Sequence, residues 1–522
     1  MALLETLIEN RWPLLAGIIV LYVVRKLLQY RKVSHFGGPR WTGVTKIPHN
    51  MRIFTGDAHQ WYQDINEKYG PIARVGPNSL ITSNADVWLH VNTKPGYKRS
   101  DWYFKACRVE YQRDHIFSQT DTKLHDERRK QIAPGYSGRE NLELESSIDA
   151  CLLDFLNLIR TKYLTFSSSA PSTPVASMDL SKKIQFFTLD VISAVGLGRP
   201  FGMLRADADI DSYVRSSEEG LRVATAFTGL GLAWLAQVPL LGRWLSSSPA
   251  DADGFGLMMG ACFRIIDERV RGLETEGDSE KGEEKKRRDM LASFVNHGLQ
   301  EADLKSEVLE TLIAGSDTTA GALRAIMLYV MGNKRVYAKL QREIDEAVRE
   351  GKVGADWEGI IPYATAKQLP YLQAVIREGL RVFPPVRNIL PKDVPPGGDT
   401  VVVDGKPVFL PEGVEIGYSA LAMHRDKKVY GEDADLFRPE RWFEPDHEKL
   451  AAMIKVNDLT FGHGRWQCLG KNVAQMELNK TLFELFRYFD WAIAHPSKPW
   501  EIFNTLGIFV INDMWVQVTP RE

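Results

Sequence analysis

Ten residues near the C-terminus, Phe461-Gly462-His463-Gly464-Arg465-Trp466-Gln467-Cys468-Leu469-Gly470, hold one sulfur nucleophile among three glycines. Glycine takes positive φ freely, so the run predicts a tight irregular loop. Ala474, Leu478, Leu482, Leu485 and Phe489 then recur at helical spacing, which sets the cysteine at the start of a helix. Unpaired N–H groups and the positive helix end favour an anionic sulfur there. A thiolate held this way is a candidate axial ligand to haem iron. A lone cysteine is otherwise a small buried hydrophobe, and the loop alone does not separate the two readings.

A second group of reactive side chains lies earlier. Leu304, Val308, Leu312, Gly315, Thr319, Leu323 and Ile326 form one stripe of a long amphipathic helix. Ala314-Gly315-Ser316-Asp317-Thr318-Thr319 sits in its middle. Glycine is a poor helix former and Ser, Asp and Thr are mediocre ones, so this run contradicts local propensity, as functional segments often do. Ala314 and Gly315 leave room for a flat ligand against the backbone, while Asp317 and Thr318 offer a carboxylate and a hydroxyl for proton transfer. A kink tolerated in a buried helix would read the same way.

Two further elements have to position these groups. A helix opening at Pro370 carries Glu378 and Arg381, three apart and able to pair. Such a pair alone is most often a surface salt bridge. Phe437-Arg438-Pro439-Glu440-Arg441-Trp442 supplies another arginine on a proline-stiffened segment.

The 522 residues are 44% hydrophobic and 25% charged, ordinary for a folded globular chain. A net charge of −2 gives no reason to expect nucleic acid as a partner. Cys107, Cys151, Cys262 and Cys468 are scattered without a CxxC pair, which suits a reducing compartment and argues against zinc.

The uncharged run Trp12 to Val24 spans about 20 Å as a helix, and Leu27 and Leu28 extend it past Arg25 and Lys26, which can snorkel. Arg25, Lys26, Arg31 and Lys32 follow the run, whereas Glu5, Glu9 and Arg11 precede it, so the bulk of the chain is expected on the cytosolic side. Residues 1–34 read as a single-pass anchor, 35–55 as a stiff proline/glycine connector and 56–522 as one catalytic domain. Ile72 to Val75 and Ser79 to Thr82 flank Gly76-Pro77-Asn78 as a hairpin. Residues 165–175 and 274–289 read as surface loops, and the apolar stretch 221–245 reads first as core, and otherwise as an apolar face touching the membrane or covering a substrate entrance.

These four chemistry-bearing elements, in this order, resemble the cytochrome P-450 haem-thiolate monooxygenases of the microsomal type. The match covers residues 36–520. The resemblance implies a mainly α fold with a small β region, one large helical haem domain after an N-terminal membrane helix. It casts Cys468 as axial ligand to haem b (iron protoporphyrin IX), within the haem loop of Phe461, Gly462, Trp466 and Gly470. Ala314 and Gly315 become the oxygen-binding groove, Asp317 and Thr318 the proton relay, and Glu378, Arg381 and Arg441 a structural triad. Arg129 and His125, in His125-Asp126-Glu127-Arg128-Arg129, resemble the helix that reaches the haem propionates. One departure stands out. The family's propionate cation two places before the cysteine is Trp466 here, and indole carries no charge. Propionate binding then passes to Arg129, with Arg387 and His125, and not to Arg465.

Pro395-Pro396-Gly397-Gly398-Asp399, Gly431-Glu432-Asp433-Ala434-Asp435 and Gln467-Cys468-Leu469-Gly470-Lys471 resemble fungal secondary-metabolism enzymes similar to pisatin demethylase. The family resemblance implies insertion of one oxygen atom from O2 into a hydrophobic small molecule by hydroxylation, epoxidation or demethylation. Electrons would come from an NADPH-dependent reductase, with cytochrome b5 as a further partner, at the endoplasmic reticulum membrane. Lys123, Arg128, Lys130, Arg465 and Lys471 are the expected docking patch, and residues 100–118, 221–240, Glu310–Ile313 and the segment after Pro385 the substrate walls. The alternatives are a thiolate-haem isomerase or peroxide-using enzyme, and a membrane-anchored haem or hydrophobe carrier.

Overall fold

The computed structural model describes residues 10–111, 113–165, 176–277, 289–354 and 359–521. Helices dominate, and the longest, Glu301–Met331, runs through the centre without a break. The small residues in its middle therefore do not kink it. They let neighbours approach. A Cβ on Gly315 would stand 2.7 Å from Ile192 of the buried helix Leu180–Leu197. On its other side, Gly379 of the helix Pro370–Val382 admits Ile326, which would meet a Cβ at 2.2 Å.

The β region sits to one side. Ile72–Gly76 and Ser79–Thr82 pair antiparallel as the expected hairpin. The second of these runs parallel to Glu415–Tyr418, beside which lie Lys392–Asp393 and then Lys98–Arg99, completing a five-stranded sheet. The last pair is antiparallel and sets Arg99 directly opposite Lys392.

Two stretches differ from expectation. The segment 35–55 is no bare connector: it contains the helix Ile47–Thr55 and is folded onto the globule. Arg74 N–H donates to the Gly37 carbonyl at 2.8 Å, and Val33 and Phe36 are buried in the sheet's apolar cluster. Much of the stretch 221–245 is not core. Leu240 and Trp244 are 84% and 88% exposed, with Leu230, Trp234 and Leu241 also outside. Hydrophobicity alone does not say which way an apolar side chain faces. The loop expected at 165–175 lies almost wholly outside the described residues. The one expected at 274–289 does so from 278 to 288, its first residues ending the helix Gly254–Gly277.

Arg11–Val33 is, among the described residues, the one helix long and apolar enough to cross a membrane.

Candidate active site

The cysteine loop is built by backbone hydrogen bonds. Cys468 N–H donates to the Phe461 carbonyl at 2.8 Å, and Gln467 N–H to Gly464 at 3.1 Å. Gly462 (φ 72°) and Gly464 (φ 62°) occupy left-handed conformations that L side chains rarely adopt. A Cβ on Gly462 would press on the Trp466 carbonyl at 3.0 Å, and one on Gly464 on the Asn92 carbonyl at 3.1 Å. Gly470 differs: its φ is −77°, and it caps the helix Lys471–Tyr488. The sulfur thus stands just before the helix and receives the N–H groups of Gly470 and Lys471. Burial raises the thiol's pKa, and those two N–H groups with the charges of Arg129 and Lys471 oppose the rise. Cys468 is exposed only in the sense that it opens onto a cavity of about 870 Å³.

The central helix lines the same cavity through Glu310, Ile313, Ala314, Gly315 and Thr318. Thr318 Oγ1 donates to the Ala314 carbonyl at 2.8 Å, one turn back. Asp317 does not line the cavity. Its Oδ1 accepts from Gln185 Nε2 at 2.7 Å, and Gln185 in turn accepts from Arg324 at 2.8 Å. Burial pushes the Asp317 carboxyl up to about 6, against the pull of Gln185 and Arg324. Asp317 and Thr318 are therefore not brought together as a pair facing the pocket. Gly315 lines the cavity beside Ala314, and the space where its Cβ would be is filled by Ile192.

Behind the cysteine loop, Glu378, Arg381 and Arg441 meet as one buried cluster. Arg381 grips Glu378 through two hydrogen bonds of 2.9 and 2.8 Å, and Arg441 Nε adds a third at 2.9 Å. The Trp442 indole N–H and the Arg438 backbone N–H also reach this carboxylate. The two guanidinium groups spend their other protons on the carbonyls of His424, Tyr430, Asp433, Ala434 and Leu436. This ties the segment 424–442 to the helix Pro370–Val382.

At one end of the cavity the polar groups are less well served. Arg129 reaches the Gln467 carbonyl at 2.8 Å. His125 is buried, 4.5 Å ring to ring from Trp466, and burial with the nearby Arg99 charge pulls its pKa down to about 4. Two cations that the sequence did not single out complete this end. Arg99 lies with its guanidinium carbon 4.8 Å from the Trp466 ring centre, its Nε buried without a hydrogen-bond partner. Lys392 Nζ lies 4.1 Å from the same ring, and burial, reinforced by Arg99, drives its pKa well down. Neither makes an ion pair among the described residues. Like charges directly opposite on paired strands destabilise a sheet, and buried cations are costly unless an anion meets them. The donor set thus fits a ligand bearing carboxylates, as the two propionates of haem require.

Arg387, by contrast, stacks on Phe383 with its guanidinium carbon 4.0 Å from the ring centre and stays out of the cavity. Arg465 also stays out of the cavity, 3.5 Å from Asp126. The expected docking patch is largely neutralised. Arg128 is tied to Glu307 and Asp303 at 2.6 and 2.7 Å, and Lys123 and Lys471 stand 4.0 and 3.8 Å from Glu127 and Asp458.

The comparisons with known proteins agree with this geometry. The cytochrome P-450 family model matches residues 38–518. Cytochrome P-450 monooxygenase ABA1 of Pyricularia oryzae is 37% identical over 519 residues, 97% of each chain. The aba1 monooxygenase of Botryotinia fuckeliana is 34% identical over 472 residues, 90% of this chain and 88% of its own. The gsfF monooxygenase of Penicillium aethiopicum is 28% identical over 482 residues, 90% of each. Along nearly its whole length, this chain belongs to the cytochrome P-450 family and is one of its monooxygenases, with relatives among fungal cytochrome P-450 monooxygenases.

Proposed function

We propose that the chain inserts one oxygen atom of O2 into an apolar small molecule held against the central helix, by hydroxylation, epoxidation or demethylation, within a fungal secondary-metabolite pathway. The observation that carries this is the Cys468 sulfur, presented by a fixed loop and two helix N–H groups to a large cavity that Thr318 also lines. The haem supplies the oxygen activation, and the protein supplies ligation, proton control and the shape of the pocket. Cys468 would ligate the iron, while Arg99, Lys392, Arg129 and His125 would hold the propionate end. Thr318 is the hydroxyl that handles protons inside the cavity. Asp317, one residue away and with its second carboxyl oxygen unpartnered, is a proton store behind it.

The walls expected for a substrate line the cavity through Trp102, Phe117, Phe227, Ile313 and Val386. Electrons come from a reductase, for which we infer an NADPH-dependent membrane enzyme, with cytochrome b5 as a second donor. We place the chain on the endoplasmic reticulum, its helix Arg11–Val33 in the bilayer and the haem domain cytosolic. Support for the membrane comes from the exposed Trp41, Ile47 and Met51, which adjoin the exposed stretch at 230–245 because Phe54 packs on Gly229.

The test is the reduced carbon-monoxide difference spectrum. Wild type should give a thiolate-type Soret band that Cys468→Ala lacks; the same band in both would remove Cys468 as ligand. In Thr318→Ala, cofactor consumption should continue while product falls and peroxide is released, and unchanged coupling would remove Thr318 from proton handling.

A further inference from the structure

The cavity wall carries one carboxyl that the chemistry above does not use. Glu310 lies one helical turn before Ala314 and two before Thr318, on the same face, so its side chain opens about 6 Å along the axis from the groove. Val109, Ile116, Ile313 and Phe227 line the same cavity, and Glu307, Arg99 and Cys107 are the charged and titratable groups near Glu310 besides His115. No guanidinium or ammonium group lies within ion-pair distance of it among the described residues. Its one close polar neighbour is His115, whose Nδ1 is 3.5 Å from Glu310 Oε2.

His115 is buried, and its Nε2 lies 3.1 Å from the Cys107 carbonyl. A carbonyl only accepts, so Nε2 carries the ring proton and Nδ1 is a bare acceptor. Nδ1 has no hydrogen-bond partner of its own and faces Glu310. Burial and the nearby Glu307 push the Glu310 carboxyl up to about 8, and burial pulls His115 down to about 4. At neutral pH the two are therefore an uncharged acid and an uncharged base. The ring nitrogen orients the acid, and the acid keeps one oxygen for the cavity. With the acid proton turned to His115 Nδ1, the carboxyl oxygen left for the cavity accepts, so its complement is a group that donates. A cation placed there would lose its hydration without gaining a counter-charge from the neutral carboxyl, and Arg99 would repel it.

Resting on the reading of this cavity as the haem-and-substrate pocket, we propose that Glu310, positioned by His115, is the specificity-determining contact for a hydroxyl or carboxylic acid group on an otherwise apolar substrate. The polar group is held one helical turn from the oxygen-binding groove, so oxidation falls on a carbon remote from it.

Binding to the haem-loaded, full-length protein tests this through the Soret spin-state shift, with four probes that share one chain. These are 1-dodecanol, dodecanoic acid, 1-methoxydodecane and dodecyltrimethylammonium. Wild type should bind the alcohol, and the acid in its protonated form, about tenfold or more tighter than the ether, which cannot donate. Glu310→Leu should erase that preference, and Glu310→Gln, which also donates and accepts, should retain most of it. The proposal falls if wild type shows no preference, if Glu310→Leu keeps it, or if the ammonium probe binds best, which would make Glu310 an ionised cation site. The wild-type carbon-monoxide band reports separately on the pocket. Its absence would remove the cavity reading itself, whereas a normal band with no probe preference removes only the role of Glu310.

Discussion

Two clusters of buried charge lie on the two sides of the cysteine loop, and they are built in opposite ways. In the Glu378–Arg381–Arg441 cluster the Glu378 carboxylate meets two guanidinium groups, Arg441 also pairs with Asp433 at 3.1 Å, and each guanidinium satisfies backbone carbonyls besides. At the cavity end, Arg99 and Lys392 stand opposite each other on paired strands with no carboxylate within ion-pair distance among the described residues, and although Arg99 donates to the Ile116 and Gln119 carbonyls its buried Nε stays unsatisfied. A buried charge that finds all its partners within the chain belongs to the scaffold. One that does not is waiting for a ligand. The distinction matters because burial alone looks the same in both, and breaking a complete cluster costs far more than trimming an incomplete one.

The largest effect should therefore come from the complete cluster. Arg381→Met leaves Glu378 facing fewer donors at zero exposure and should cost about 3–5 kcal/mol of folding stability. Urea unfolding of the purified protein measures it. A loss below about 1 kcal/mol would place this cluster with the ordinary surface pairs and erase the contrast.

Glu310 gives the next effect, and its sign comes from linkage. Its folded pKa of about 8 lies above the ordinary carboxylate value, so the folded chain holds this proton more tightly than the unfolded one. The contribution to stability is complete below about pH 4.5 and is lost as pH rises towards 8. Glu310→Gln should then gain on wild type across that window, by on the order of a few kcal/mol, since each tenfold change in proton affinity is worth about 1.4 kcal/mol. His115, with its pKa down to about 4, works the other way, losing stability as pH falls from about 6.5. The groups around Glu310 are His115, Glu307, Arg99 and Cys107. A difference between wild type and Glu310→Gln that stays flat with pH would mean the carboxyl is ionised throughout.

Lys392 sharpens the comparison from the other side. Lys392→Met removes a buried cation that has no ion-pair partner among the described residues and only a 3.5 Å contact to the Tyr103 hydroxyl, so the haem-free protein should gain thermal stability. The haem-loaded protein should release haem about tenfold faster, as expected for one lost charge-assisted hydrogen bond. Release to an excess of a haem-scavenging apoglobin reads the second quantity. Changes in the same direction in both forms would make Lys392 an ordinary scaffold residue.

What could be read in the chain divides along the same line. The cysteine loop, the Pro370–Val382 helix and the central helix announce themselves because their informative residues are close in sequence and their spacing has a period. Arg99 and Lys392 do not. They come from two-residue strands far apart in the chain, and only their pairing in the sheet turns two unremarkable basic residues into one cationic face. Asp317 and Thr318 show the converse, being neighbours in sequence that the helix turns to different surroundings. The exposed Leu240 and Trp244 were illegible for a simpler reason: apolar composition does not encode whether the neighbour is core or something outside the protein.

The smallest effect concerns Trp466, which stands where the family usually places a cation. Its ring lies 4.8 Å from the Arg99 guanidinium carbon and 4.1 Å from Lys392 Nζ, measured to the ring centre. A tryptophan face attracts cations by about 0.5–2 kcal/mol. The indole therefore gathers the two cations around a surface that does not repel them, and it leaves their protons for carboxylates. Trp466→Leu should lose about 1 kcal/mol of this in both the haem-free and the haem-loaded protein, leaving haem release near the wild-type rate. Trp466→Arg should separate the two forms. A third cation beside Arg99 and Lys392 lowers the stability of the haem-free chain, whereas the added charge holds propionates and keeps haem retention at or above wild type. If Trp466→Arg destabilised neither form, the existing cations would not be feeling one another, and the cavity end would be no more charge-strained than the triad.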